Sequence, residues 1–109
     1  MPADSAAVLL VFSSFPDEQA ARAVAAQLVE SRLAACVSVL AGSRSVYRWK
    51  GAIEESGEVP VLIKTSAACY AALEAALRAS HPYELPEIVA VPVERGLPAY
   101  LEWVAGETA

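Results

Sequence analysis

The sequence holds one histidine and two cysteines among its 109 residues. Cys36 and Cys69 lie far apart with no Cys-x-x-Cys pair, which excludes a zinc site of the usual ligand spacing. Spacing does not exclude a disulfide between them, but free buried thiols in a reducing compartment are the expectation. Positive charge is scarce too: eight Lys and Arg stand against 13 Asp and Glu, for a net charge of -5. The basic residues are scattered from Arg22 to Arg95 without a run. Nucleic acid is therefore excluded as a partner, because phosphate binding needs clustered cations. Long apolar runs are missing as well. The longest near the N-terminus, Ala6 to Phe12, falls far short of the roughly 20 residues that span a bilayer. Asp4 stands where a secretory signal would carry basic residues, so a soluble, cytoplasmic protein without membrane attachment is expected. Gly42, Gly51 and Gly57 are isolated, and no glycine-rich loop offers to cradle a phosphate.

What the chain does have is apolar substance. It is 56% hydrophobic and 19% charged, which suits one globular domain over 1–109, with Met1 to Ser5 as a flexible tail. Ala6 to Phe12 is a run of strand length, stopped by Ser13 to Asp17. Pro16, Asp17 and Glu18 suit a first helical turn. Ala21, Val24, Ala25 and Leu28 then form the apolar stripe of a helix reaching about Ser31. Leu33 to Leu40 reads as a second strand, interrupted at Ala41-Gly42 and resumed over Val46 to Trp49, with Tyr47 and Trp49 on one face. Lys50-Gly51 is a tight hairpin turn. The third strand covers Ile53 to Thr65. Pro60 lies inside it, which demands an edge or a position without a ladder bond. Ala67 to Ala79 forms a second helix with Tyr70, Leu73, Ala76 and Leu77 inward. Ile88 to Val93 makes a fourth strand, and Leu97, Tyr100, Leu101 and Val104 a short terminal helix. This order is that of an α+β, ferredoxin-like βαββαβ sandwich with a long hairpin between its second and third strands. Such a hairpin overhangs its own sheet. Its aromatic tip and the apolar open sheet face both need a cover, for which another copy of the chain is the natural candidate.

The segment His81-Pro82-Tyr83-Glu84-Leu85-Pro86-Glu87-Ile88 combines the histidine, two prolines, two carboxylates and a phenol ahead of a Val-rich strand. The prolines restrict its backbone, so polar groups of three chemistries sit on a stiff loop, as they often do at binding sites. The alternative is a rigid connector whose side chains only cap and turn.

Ala34-Ala35-Cys36-Val37, Val46-Tyr47-Arg48-Trp49-Lys50-Gly51, Ile53-Glu54-Glu55, Val61-Leu62-Ile63-Lys64-Thr65 and the His81–Ile88 loop, with Pro16-Asp17 and Tyr100-Leu101-Glu102-Trp103 in support, together resemble the CutA (CutA1) divalent-cation tolerance proteins. The resemblance implies a ferredoxin-like subunit assembled through its long hairpin into a compact homotrimer, much as in the PII signalling proteins. It implies a role in tolerance to copper and other divalent metals. Some members are described as copper binders, eukaryotic relatives are linked to membrane anchoring of acetylcholinesterase, and no enzymatic reaction is settled.

The copper site attributed to that family uses a cysteine near the end of the first strand and a His-His pair before Pro-Tyr. Here Ser13 and Ser80 replace two of those ligands, so the resemblance carries only His81 over, with Glu84 or Glu87 available at a subunit boundary. Copper prefers imidazole and thiolate. The other expectation is an inter-subunit pocket lined by Cys36, Tyr47, Trp49, Lys64, Tyr83, Glu84 and Glu87, together with His81, that takes a small ligand. Lys64 ends an apolar run, and its ammonium calls for an acidic partner such as Glu84 or Glu87; a purely structural ion pair is the competing reading. No enzyme is expected, since His81 has no nucleophile beside it. Two functions follow: a homotrimer that binds or responds to copper or another divalent cation, or a structural or PII-like ligand-sensing trimer that acts through partner proteins without metal.

Overall fold

The computed structural model describes residues 7–109; the tail expected over Met1 to Ser5 lies outside them. Strand β1 (Val8–Phe15) leads into helix α1 (Glu18–Glu30), then strands β2 (Cys36–Val39), β3 (Ser43–Trp49) and β4 (Ala52–Ser66). Helix α2 (Tyr70–Ser80), strand β5 (Val89–Pro92) and helix α3 (Pro98–Glu107) complete the chain. The strands form one antiparallel sheet in the order β2-β4-β1-β5, with β3 pairing β4 beyond the end of β2. This is the α+β, ferredoxin-like order expected.

Alternation assigns the two faces of the sheet. Val11, Phe15, Val61 and Ile63 point into the main core, against Ala21, Val24 and Leu28 of α1 and Leu73 and Leu77 of α2. Leu10, Phe12, Leu62, Val89 and Val91 take the opposite face, since Leu10 pairs Val91 and Phe12 pairs both Val89 and Leu62. Helix α3 covers only one end of that face, through Val104 on Val8 and Ala35. There the Thr108 hydroxyl donates to Ser66 Oγ at 3.0 Å. Val89 and Val91 remain 52% and 45% exposed.

Helix α1 is bounded as its sequence dictates. Asp17 caps it, Oδ1 accepting the Ala20 N–H at 2.8 Å. At its other end Arg32 adopts φ 63°, while the amides of Leu33 and Arg32 return to the carbonyls of Leu28 and Val29. Arginine fills a position that glycine usually takes, and its guanidinium reaches the Gly106 carbonyl of α3 at 3.0 Å.

Several boundaries differ from the sequence reading, β3 opening at Ser43 instead of Val46 among them. Strand β1 does not stop at Phe12: it pairs β4 out to Phe15 opposite Val59, because β4 is long enough to supply partners for Ser13 and Ser14. Leu33 to Ala35 turn out of α1 rather than opening β2. A 3-10 turn over Ala67–Cys69 precedes α2.

Pro60 explains the break between β2 and β3. Its carbonyl accepts from the Leu40 amide at 2.9 Å. In a strand the N–H and C=O of one residue address the same neighbour, so the donor that proline lacks would have faced Leu40. The β2 ladder ends at Val39, the chain bends, and β3 takes up pairing with β4 from Ser43 opposite Glu58. Toward β1 Pro60 faces Ser14 at a position that needs no bond. The hairpin closes at Lys50 and Gly51, both with positive φ (50° and 84°), as a two-residue turn matching strand twist requires. The β3–β4 arm extends the molecule to 44 Å along its longest axis and its radius of gyration to 14.6 Å, against about 13 Å for a compact chain of this length.

Candidate functional site

The histidine loop is held from within. Pro82 disfavours helical geometry at His81, which ends α2 in an extended conformation (φ -76°, ψ 135°). The imidazole is 8% exposed and stacks on Phe15 with centroids 4.4 Å apart and planes at 17°. Both its nitrogens are engaged. Nδ1 accepts the Tyr83 N–H at 3.1 Å, so Nε2 carries the proton and donates to the Ser14 carbonyl at 2.8 Å. Burial pushes the His81 pKa down, opposed by the Ser14 hydrogen bond and the Glu58 charge. His81 is thus a neutral latch joining β1, α2 and the loop.

The latched loop makes one wall of a groove of about 690 Å³, and the hairpin makes the other. Tyr47, Trp49, Ser45, Ser56 and Glu58 line the hairpin wall, with Ser14 and Pro16 at its base; Tyr83, Glu84, Leu85 and Glu87 line the loop wall. The Tyr47 hydroxyl lies 3.2 Å from Ser56 Oγ. Tyr83 packs on His81 with ring centroids 4.9 Å apart. Burial chiefly, and then the Glu58 carboxylate facing it, push the Tyr83 phenol up to about 12, with Tyr47 and Asp17 adding to the effect. At the rim Lys50 Nζ lies 3.8 Å from a Glu84 oxygen and 5.6 Å from the centre of the Trp49 ring.

Of the residues singled out in the sequence, the groove brings together Tyr47, Trp49, Tyr83, Glu84 and Glu87. Cys36 and Lys64 are elsewhere. They pair across β2 and β4 on the open sheet face, with Nζ 3.9 Å from the thiol. Within one chain Lys64 therefore does not reach Glu84 or Glu87; the expected partnership is one between copies. Lys64 stands six residues along β4 from Glu58, about 20 Å in an extended strand, and the cation beside Glu84 is Lys50. Both cysteines are free thiols. Glu58 and Ser56 were missed. The signal existed in the hairpin register, which from a turn at Lys50-Gly51 pairs Ser45 with Ser56 and Ser43 with Glu58 and so aligns them with Tyr47.

The copper ligands carried by the resemblance do not converge. The Ser13 hydroxyl points to the core face and is buried with no hydrogen-bond partner among the described residues. Ser80 donates to the Ala76 carbonyl at 2.8 Å, and His81 has no free nitrogen lone pair. Among the described residues no three His, Cys, Asp or Glu side chains come together closely enough to hold a metal ion. These residues do not fit a copper ion within one chain.

Residues 9–107 match the family described as CutA1 divalent ion tolerance protein. The chain belongs to the CutA1 family. The divalent-cation tolerance protein CutA of Thermus thermophilus is 42% identical over 99 residues, spanning 91% of this chain and 96% of that one. Mouse protein CutA is 46% identical over 97 residues, 89% of this chain but 55% of the mouse protein, so the chain spans about half the length of that relative. The crystal structure of CutA from Xylella fastidiosa superposes with a TM-score of 0.91 at 48% identity, covering 94% of this chain and 98% of that one. This CutA1 chain is therefore a divalent-cation tolerance protein by family, in the fold its relatives share. No described helix is long and apolar enough to cross a membrane.

Proposed function

We propose that the chain supports divalent-cation tolerance as a homotrimeric sensor, with the groove between hairpin and loop as its effector site. The observation behind this reading is that the aromatic and acidic side chains of the hairpin and loop gather around one groove, and that His81 fixes the loop wall rather than offering a ligand. Assembly is supported by the sheet face left open by α3 and by the projecting arm, on which Val46 and Ile53 are 68% and 62% exposed. Apolar surface of that extent is usually covered in solution. Copper or another divalent cation enters as the stimulus, either indirectly or as an ion shared between copies through Glu84 or Glu87. No catalytic role is assigned, and the free thiols suit a cytoplasmic setting.

Light scattering on the eluted protein, with melting followed under copper(II), zinc(II) and magnesium, tests this reading. The expected result is a particle of three chains whose copper response is the same in the parent and in His81→Gln. A folded single chain at micromolar concentration overturns the assembly. Loss of the copper response in His81→Gln alone returns the histidine to the role of ligand.

A further inference from the structure

The groove's chemistry selects the sign of charge that it accepts, and the chain itself supplies an example. Lys50 is not part of the lining, yet its ammonium sits at the rim with Glu84 on one side and the face of Trp49 on the other. A carboxylate beside an aromatic face is how an alkylammonium is held in water, by charge and by the ring quadrupole together. The lining also holds Glu58, which faces Tyr83, with Glu87 and Tyr47, and no cationic side chain. By alternation the hairpin guanidiniums of Arg44 and Arg48 are on the other face, and Arg44 pairs with Glu55 at 3.0 Å. Burial is the main cause of the raised Tyr83 phenol, and the Glu58 carboxylate adds to it. An anionic effector would meet three carboxylates and one lysine. A bare metal ion would find no converging triad among the described residues. Carboxylates spread over an aromatic-walled groove of about 690 Å³ match a cation of organic dimensions.

We propose that the groove is a binding site for an organic ammonium ion with an alkyl stem, held between Trp49 and Glu84 and onward toward Glu58, and that the Lys50 side chain is a resident occupant that such a ligand displaces. The assignment rests on the groove being the effector site. Lys50 accordingly lowers affinity for the ligand instead of anchoring it.

The probe is n-butylammonium, which reproduces the Lys50 stem and head, with valerate as the anion of similar length. Trp49 emission is followed in a Trp103→Phe background at constant ionic strength, and light scattering on the same samples records assembly. The expected result is a saturable change with n-butylammonium and none with valerate. Affinity should rise about threefold in Lys50→Gln, and Glu84→Gln placed on Lys50→Gln should lower it again by about as much. Weaker binding in Lys50→Gln, an equal response to valerate, or no saturation in an intact assembly overturns the proposal. Saturation in a sample that runs as a single chain leaves the ammonium site standing and removes the homotrimer instead, so the two readings fail separately.

Discussion

His81 shows how one side chain can carry the signature of a ligand and the work of a latch. Its ring fills space against Phe15, and its two nitrogens satisfy a carbonyl and an amide that would otherwise lie buried and unpaired. Replacement by alanine opens a cavity and orphans both groups, so His81→Ala should lower stability by about 2–3 kcal/mol in urea unfolding. Acid should act on the same contacts. The folded ring has a depressed pKa, so in mild acid the unfolded chain binds more protons than the folded one. The stability due to neutral His81 is then complete above the ordinary value near 6.5 and drains away as the pH falls below it. The gap in urea midpoint between parent and His81→Gln should narrow between about pH 7.5 and about pH 5.5; a gap independent of pH contradicts this. Ser13 should respond in the opposite sense. Its buried hydroxyl has no partner among the described residues, and Ser13→Ala removes that penalty, raising stability by about 1 kcal/mol. Neither role was legible in the sequence. Proline spacing marked the loop as stiff, but nothing in it said that both imidazole nitrogens would turn inward.

At the level of elements the sequence spoke more plainly. The apolar stripes of α1 and α2 and the alternation in the hairpin gave the right faces, because period is a local property that burial only confirms. The Lys50-Gly51 turn was legible for the same reason. Both residues have positive φ and Gly51 has open space around it, so Gly51→Ala should cost about 1 kcal/mol from backbone strain alone, read as a lower melting temperature with the groove lining intact. Boundaries set by distant partners were not legible. Ser13 and Ser14 look like a stop and are strand because β4 reaches past them; within one chain Cys36 and Lys64 lie apart from Glu84 and Glu87 because β4 is long enough to separate them.

For the whole molecule, the open face of the sheet is the feature with the widest reach. Leu62 lies near its middle, flanked by Phe12 and Ser38 through the register of β1 and β2. It is only half-buried, so Leu62→Glu should leave the isolated subunit folded while placing a charge at the surface proposed to meet other copies. The expected outcome is a drop in particle mass by light scattering with an unchanged far-ultraviolet spectrum. A mass equal to the parent's would move the assembly surface elsewhere. Strand β4 links this face to the groove proposed as the effector site. It runs unbroken over 15 residues, with Ser56 and Glu58 in the groove, Leu62 and Lys64 on the open face and Ser66 fastened to α3. A single taut spine of this kind has no slack joint between its two ends. If a ligand in the proposed groove shifts its register or twist beside Glu58 and that shift carries to Leu62, thermodynamic reciprocity requires subunit association and ligand uptake to change each other's strength by the same factor.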